Sequence, residues 1–113
     1  MVIVTLFGEQ YDTETTYELD LSYNNLIKLP DELILFTNLH TLDCNCNELT
    51  SLDNLPANLH TLNCSNNKLS VLNNLPIGLE ILDCSNNELT QLDNLPCNLF
   101  ELNCSNNSIE FLD

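Results

Sequence analysis

The chain has no arginine and only two lysines, Lys28 and Lys68, against seventeen carboxylate side chains, so its formal net charge is −15. Binding a phosphate backbone requires cations, so nucleic acid is not an expected partner. Anionic membrane surfaces are disfavoured for the same reason. With two glycines in 113 residues, a glycine-rich phosphate cradle is hard to build. No apolar run approaches the roughly 18 residues of a membrane span. Residues 1–7 are apolar but lack the basic start and small-residue cleavage site of a signal peptide. A Ser/His/Asp set, a paired-carboxylate cleft and a His-Glu-x-x-His motif are all missing. The expectation is a non-enzymatic protein without cofactor or metal. Its charge would draw in a basic protein surface, mainly by speeding a salt-sensitive encounter.

What the chain does have is repetition. The run Leu59-His60-Thr61-Leu62-Asn63-Cys64-Ser65-Asn66-Asn67-Lys68-Leu69 returns from Leu39 to Leu49, from Leu79 to Leu89 and from Leu99 to Ile109. A degenerate copy runs from Thr16 to Leu26. The shared pattern, Leu-x-x-Leu-x-Cys/Leu-x-x-Asn-x-Leu, resembles the leucine-rich-repeat signature. It divides the chain into repeats at 16–38, 39–58, 59–78, 79–98 and 99–113. The expected fold is a leucine-rich-repeat solenoid with a short curved parallel sheet on its concave face. Eight or nine residues around a fixed Leu-Pro are too few for a helix. The convex side is therefore expected to be extended or polyproline-like, with few helices. Repeat one is longer, and Pro30 followed by Asp31 and Glu32 suits the first turn of a short helical segment. Residues 1–15 read as a β-hairpin-like cap over the first repeat: a strand at 2–7, a turn at Gly8-Glu9-Gln10 and a return at Tyr11-Asp12-Thr13.

The columns of the repeat divide the labour. Leu42, Leu62, Leu82 and Leu102, with Cys44, Cys64, Cys84 and Cys104, alternate inward from each strand and stack as ladders. Zinc needs four ligands around one point, whereas a ladder supplies a row, so the cysteines are expected to pack as small hydrophobes. Cys46 and Cys97 break the pattern, and Cys46 is the expected exposed thiol. Asn24, Asn47, Asn67, Asn87 and Asn107 form a second structural ladder, meeting backbone groups where the chain leaves the strand.

The solvent-facing strand positions are free to carry function. Glu18, Asp20, Thr41, Asp43, Thr61, Asn63, Ile81, Asp83, Glu101 and Asn103 form a small, acidic candidate partner-binding face. At the rim entering each strand stand Tyr17, His40, His60, Glu80 and Phe100, candidate anchors because aromatic side chains dominate binding hot spots. Alternative readings are self-association through the open end after Asp113, and a substrate-recognition fragment of a larger effector or ligase.

The twenty-residue unit, with its Asn-Leu-Pro-x-x-Leu-x-x-Leu-x-Cys-x-x-Asn run, resembles the short bacterial-type repeats of YopM- and IpaH-like effectors that pathogens deliver into host cells. Similar arrays occur in amoeba-infecting giant viruses, and cysteine in the strand fits those arrays better. The resemblance covers residues 16–113 and implies a protein-binding concave face and action in a host cytoplasm. Two departures stand out. Relatives often carry a helical amino-terminal cap where this chain has a strand. IpaH-like members also add a ubiquitin-ligase domain, and no such activity is transferred here.

Overall fold

The computed structural model describes residues 1–110. Among the described residues, seven short strands form two sheets. β1 (Ile3–Leu6) and β2 (Glu9–Asp12) make an antiparallel hairpin. β3 (Glu18–Asp20), β4 (Thr41–Asp43), β5 (Thr61–Asn63), β6 (Ile81–Asp83) and β7 (Glu101–Asn103) make one parallel sheet in sequence order. The chain is a β-solenoid, and the twenty-residue period is the reason. Leu42 pairs with Leu62, Leu62 with Leu82 and Leu82 with Leu102, so equal columns lie side by side.

Leucine and cysteine columns fill the interior. Leu39, Leu59 and Leu79 are fully buried, as are Leu49, Leu69 and Leu89 and the thiols Cys44, Cys64 and Cys84. Each fully buried leucine contributes roughly 1.5–3 kcal/mol of transfer free energy. These nine buried side chains from three consecutive repeats explain how so small a domain holds together. On the last described strand Leu102 is 37% exposed and Cys104 half-buried. Residues 111–113, the end of the expected fifth repeat, lie outside the described residues.

The far side of the solenoid is irregular, with one 3-10 segment, Asp31–Leu35, in the longer first repeat. Pro30 caps that segment from outside instead of occupying its first turn, and its carbonyl accepts from the Leu33 N–H at 3.2 Å. Phe36, directly after it, is fully buried and meets Tyr11 of β2 edge-on at 6.2 Å. This contact ties the hairpin to the first repeat, together with Leu6, which sits in the same core. The hairpin turns one residue earlier than expected. Phe7 and Gly8 hold the turn, at φ 51° and 84°, and Glu9 and Gln10 belong to β2. Among the described residues, no helix is long and apolar enough to cross a membrane.

Candidate protein-docking face

The structural asparagines bridge one repeat to the next, beside the backbone ladder of the sheet. The Asn67 side-chain oxygen accepts from the Leu49 N–H at 2.9 Å, while its amide nitrogen donates to the carbonyls of Cys44, Cys64 and Ser65. Asn87 and Asn107 repeat this geometry one and two repeats on. Asn47 accepts from both Asn24 and Leu26 and donates to the carbonyls of Leu21, Cys44 and Asn45. Asn24 differs: it is exposed, and its amide reaches only the carbonyl of Ser22. Repeat one follows the hairpin and not another repeat, so its asparagine bridges nothing and instead donates its backbone N–H to the Asn47 side-chain oxygen.

Burial raises the pKa of the thiol ladder. Desolvation, helped by nearby negative groups, pushes Cys44 and Cys84 to about 12 and Cys64 well above its usual value. These thiols stay protonated, and a protonated thiol is neither nucleophile nor metal ligand. Cys97 is the exposed thiol, whereas Cys46 is half-buried. The expectation is therefore reversed; neighbouring Cys46 is also the main influence that raises the Tyr23 hydroxyl pKa.

The sheet face carries the candidate partner-binding residues in two columns. One runs Glu18, Thr41, Thr61, Ile81, Glu101 and the other Asp20, Asp43, Asn63, Asp83, Asn103, each paired in register with the next. Thr41, Thr61 and Ile81 are half-buried at the middle of the face, while Glu18 and Glu101 at its ends are exposed. Asp20 and Asp43 lie directly side by side, the one place where this column puts two carboxylates on neighbouring strands. With Glu18, Leu19 and Thr41 they line a shallow hollow of about 290 Å³.

The second column has a task that sequence reading missed. Asp83 accepts from the Ser85 N–H at 3.0 Å and from its hydroxyl at 2.7 Å, closing the turn that ends the strand. Asn63 and Asn103 do the same with Ser65 and Ser105. Asp20 does so with Ser22, and that bond holds its carboxyl below the usual range. Asp43 does it with the backbone and side-chain amides of Asn45. The serine two residues on was the available signal, since short polar side chains close such turns. One oxygen of each carboxylate is thus committed to the fold.

The residue directly after each turn has left-handed backbone: Asn66, Asn86 and Asn106 at φ 54–56°. Asparagine tolerates this region. Tyr23 and Cys46 hold the same conformation in the first two repeats without that tolerance.

Along the rim, the backbone ladder continues one residue before the strands. His40 donates to Tyr17, His60 to His40 and Glu80 to His60, each at 2.8 Å, and Phe100 to Glu80 at 3.0 Å. Their side chains are exposed. Tyr17 lies against His40 at 5.8 Å between ring centres, and His40 stacks on His60 at 4.9 Å with the rings 26° apart. The rim is therefore an organised row and not a scatter of side chains.

The leucine-rich-repeat family profile matches residues 16–35 and 78–99. The solved structure of a Shigella effector LRR domain is 41% identical to this chain, with a TM-score of 0.79 over 87% of it. This is a leucine-rich-repeat protein. YopM from Yersinia enterocolitica WA-314 is also similar, with 33% identity and a TM-score of 0.61 over 86% of the chain. No curated protein matches. The alignments cover 44% of the Shigella chain and 25% of YopM, so this leucine-rich-repeat chain spans less than half the length of either.

Proposed function

We propose that this leucine-rich-repeat chain is a non-enzymatic protein-binding module. A partner with a basic surface docks across the sheet face and is anchored at the aromatic rim. The observation that carries this reading is the charge of the unpartnered sheet face. Glu18, Asp20 and Glu101 are exposed and Asp43 and Asp83 half-buried at the outward strand positions, and no cation occupies any of those positions. Both lysines are engaged elsewhere, Lys28 with Asp31 at 3.9 Å and Lys68 with Glu48 at 3.3 Å. Opposite charge across an interface raises the association rate and sets orientation. The protonated, buried thiol ladder supports the non-enzymatic half of the reading.

The Shigella relative is an effector, and the proposal extends an intracellular site of action to this chain. Six free cysteines fit a reducing compartment.

The test must remove charge without breaking the strand-ending turn. Asn63 and Asn103 already show which residue does that, so Asp43→Asn/Asp83→Asn keeps the acceptor oxygen and loses the negative charge. Wild type and variant, matched in thermal melting, are compared in capture of binding proteins from host-cell lysate at low and high salt. A partner bound by wild type, weakened by salt and lost in the variant is expected. Equal capture by both proteins would rule out the sheet face.

A further inference from the structure

The rim row changes character at one step. Going along the column, Tyr17, His40 and His60 hand one ring to the next at 5.8 and 4.9 Å, close to the roughly 4.8 Å between neighbouring strands. The following position is Glu80, joined to His60 by the same backbone bond that spaces the earlier rings. One side of the His60 ring is thus covered by His40, and the other looks toward a position that holds a carboxylate and no ring. Glu80 is exposed and, among the described residues, pairs with no cation. Beyond it, Phe100 is 72% exposed.

An exposed aromatic face beside an unpaired carboxylate matches one side chain in particular. Arginine stacks its planar guanidinium on aromatic rings and donates a rigid fork of N–H groups to carboxylates. Lysine offers a compact, strongly hydrated point charge that does neither as well. Resting on the docking reading above, we propose that the His60–Glu80 step is the seat for an arginine of an extended basic partner segment. The guanidinium lies on the His60 ring and donates to the Glu80 carboxylate. Half-buried Ile81, next in the chain, supplies apolar contact to the arginine stem, and Asp83 and Glu101 attract the basic residues that flank it. The commitment to a protein segment comes from this charge complementarity, because the carboxylates continue across the sheet and so suit several cations in one chain.

The test uses the full chain and a short fluorescent peptide of alternating arginine and serine, with versions carrying lysine or citrulline in place of arginine. Binding is read by fluorescence anisotropy. Citrulline keeps the shape of arginine and removes its charge. His60→Ala and Glu80→Gln change exposed side chains, and thermal melting checks that both variants fold. The arginine peptide is expected to bind about tenfold more tightly than the lysine version, and citrulline to abolish binding. Each variant should reduce the arginine affinity to the lysine level while leaving the lysine affinity unchanged by His60→Ala.

Equal affinity for arginine and lysine would overturn the proposal, as would an arginine preference that survives both variants. Asp43→Asn/Asp83→Asn separates this failure from a wider one. If that variant still weakens both peptides, the acidic face stands and only the His60–Glu80 seat is wrong. If wild type binds neither peptide, the seat and the docking of basic segments fail together.

Discussion

Asn67 shows how a single side chain carries the solenoid from one turn to the next. Its amide satisfies three carbonyls and its oxygen one N–H, drawn from its own repeat and the one before. Asn67→Ala leaves the buried Leu49 N–H without a partner, at a cost of about 1–3 kcal/mol, and takes one of two donors from each of the carbonyls of Cys44, Cys64 and Ser65. Asn67→Asp is expected to do comparable harm, because a carboxylate cannot donate to the carbonyls of Cys44, Cys64 and Ser65. Urea unfolding of both variants checks this. A midpoint unchanged in Asn67→Asp would mean that the donor side of the amide contributes nothing. Asp83, at the end of the next strand, plays both parts at once: it closes the turn with Ser85 and presents charge to solvent. A charge-removing substitution that ignored the first role would confuse folding with binding.

Among the elements, the β1–β2 hairpin departs furthest from its own chemistry. Two-residue hairpin turns with two positive φ values favour Asn-Gly. Here Phe7-Gly8 occupies that turn, with the Phe7 ring 53% exposed. Phe7→Asn is expected to stabilise the chain by about 0.5–1 kcal/mol, read as a raised urea midpoint. A lowered midpoint would show that the ring packs usefully against the hairpin. The same element marks the limit of sequence reading. Alternating β-branched residues at 2–7 signal a strand, but a phenylalanine gives no warning of left-handed backbone, so the turn was expected one residue late. The repeats are legible because a twenty-residue period states the inward columns five times over. Their turns are less so. The link from Asp83 to Ser85 looks in sequence like two ordinary polar residues, and the repeat pattern does not tell which of Cys46 and Cys97, both outside its cysteine column, is exposed. The closeness of His40 and His60 follows from register, yet that their exposed rings stack on each other is not written in the sequence.

At the scale of the whole molecule, two long-range features set behaviour: a buried ladder of thiols and an acidic open face. The thiols predict the response to alkali. Cys44 and Cys84 rise from 9.0 to about 12 in the folded chain, and Cys64 rises well above 9.0. Ionisation above pH 9 therefore favours the unfolded state. The stability that protonated thiols provide is fully present below pH 9 and is lost as pH climbs toward 12. The slope is about 1.4 kcal/mol per pH unit for each thiol that ionises only on unfolding. Urea midpoints are expected to hold from neutral pH to about 9 and then to fall. Cys64→Ala should be less stable at neutral pH but lose stability more gradually above pH 9. A parallel decline in the two proteins would show that the ladder does not govern alkaline unfolding.

The acidic face carries the central claim, and carboxylate footprinting of a captured complex tests it most directly. The side chains are labelled with a carbodiimide and an amine, with and without the bound partner, and read residue by residue by mass spectrometry. Protection of Asp43, Glu80, Asp83 and Glu101 is predicted, with Asp53 and Asp93, exposed on the far side of the repeats, labelled equally in both states. Protection of Asp53 and Asp93 with the sheet-face carboxylates still open would contradict the account.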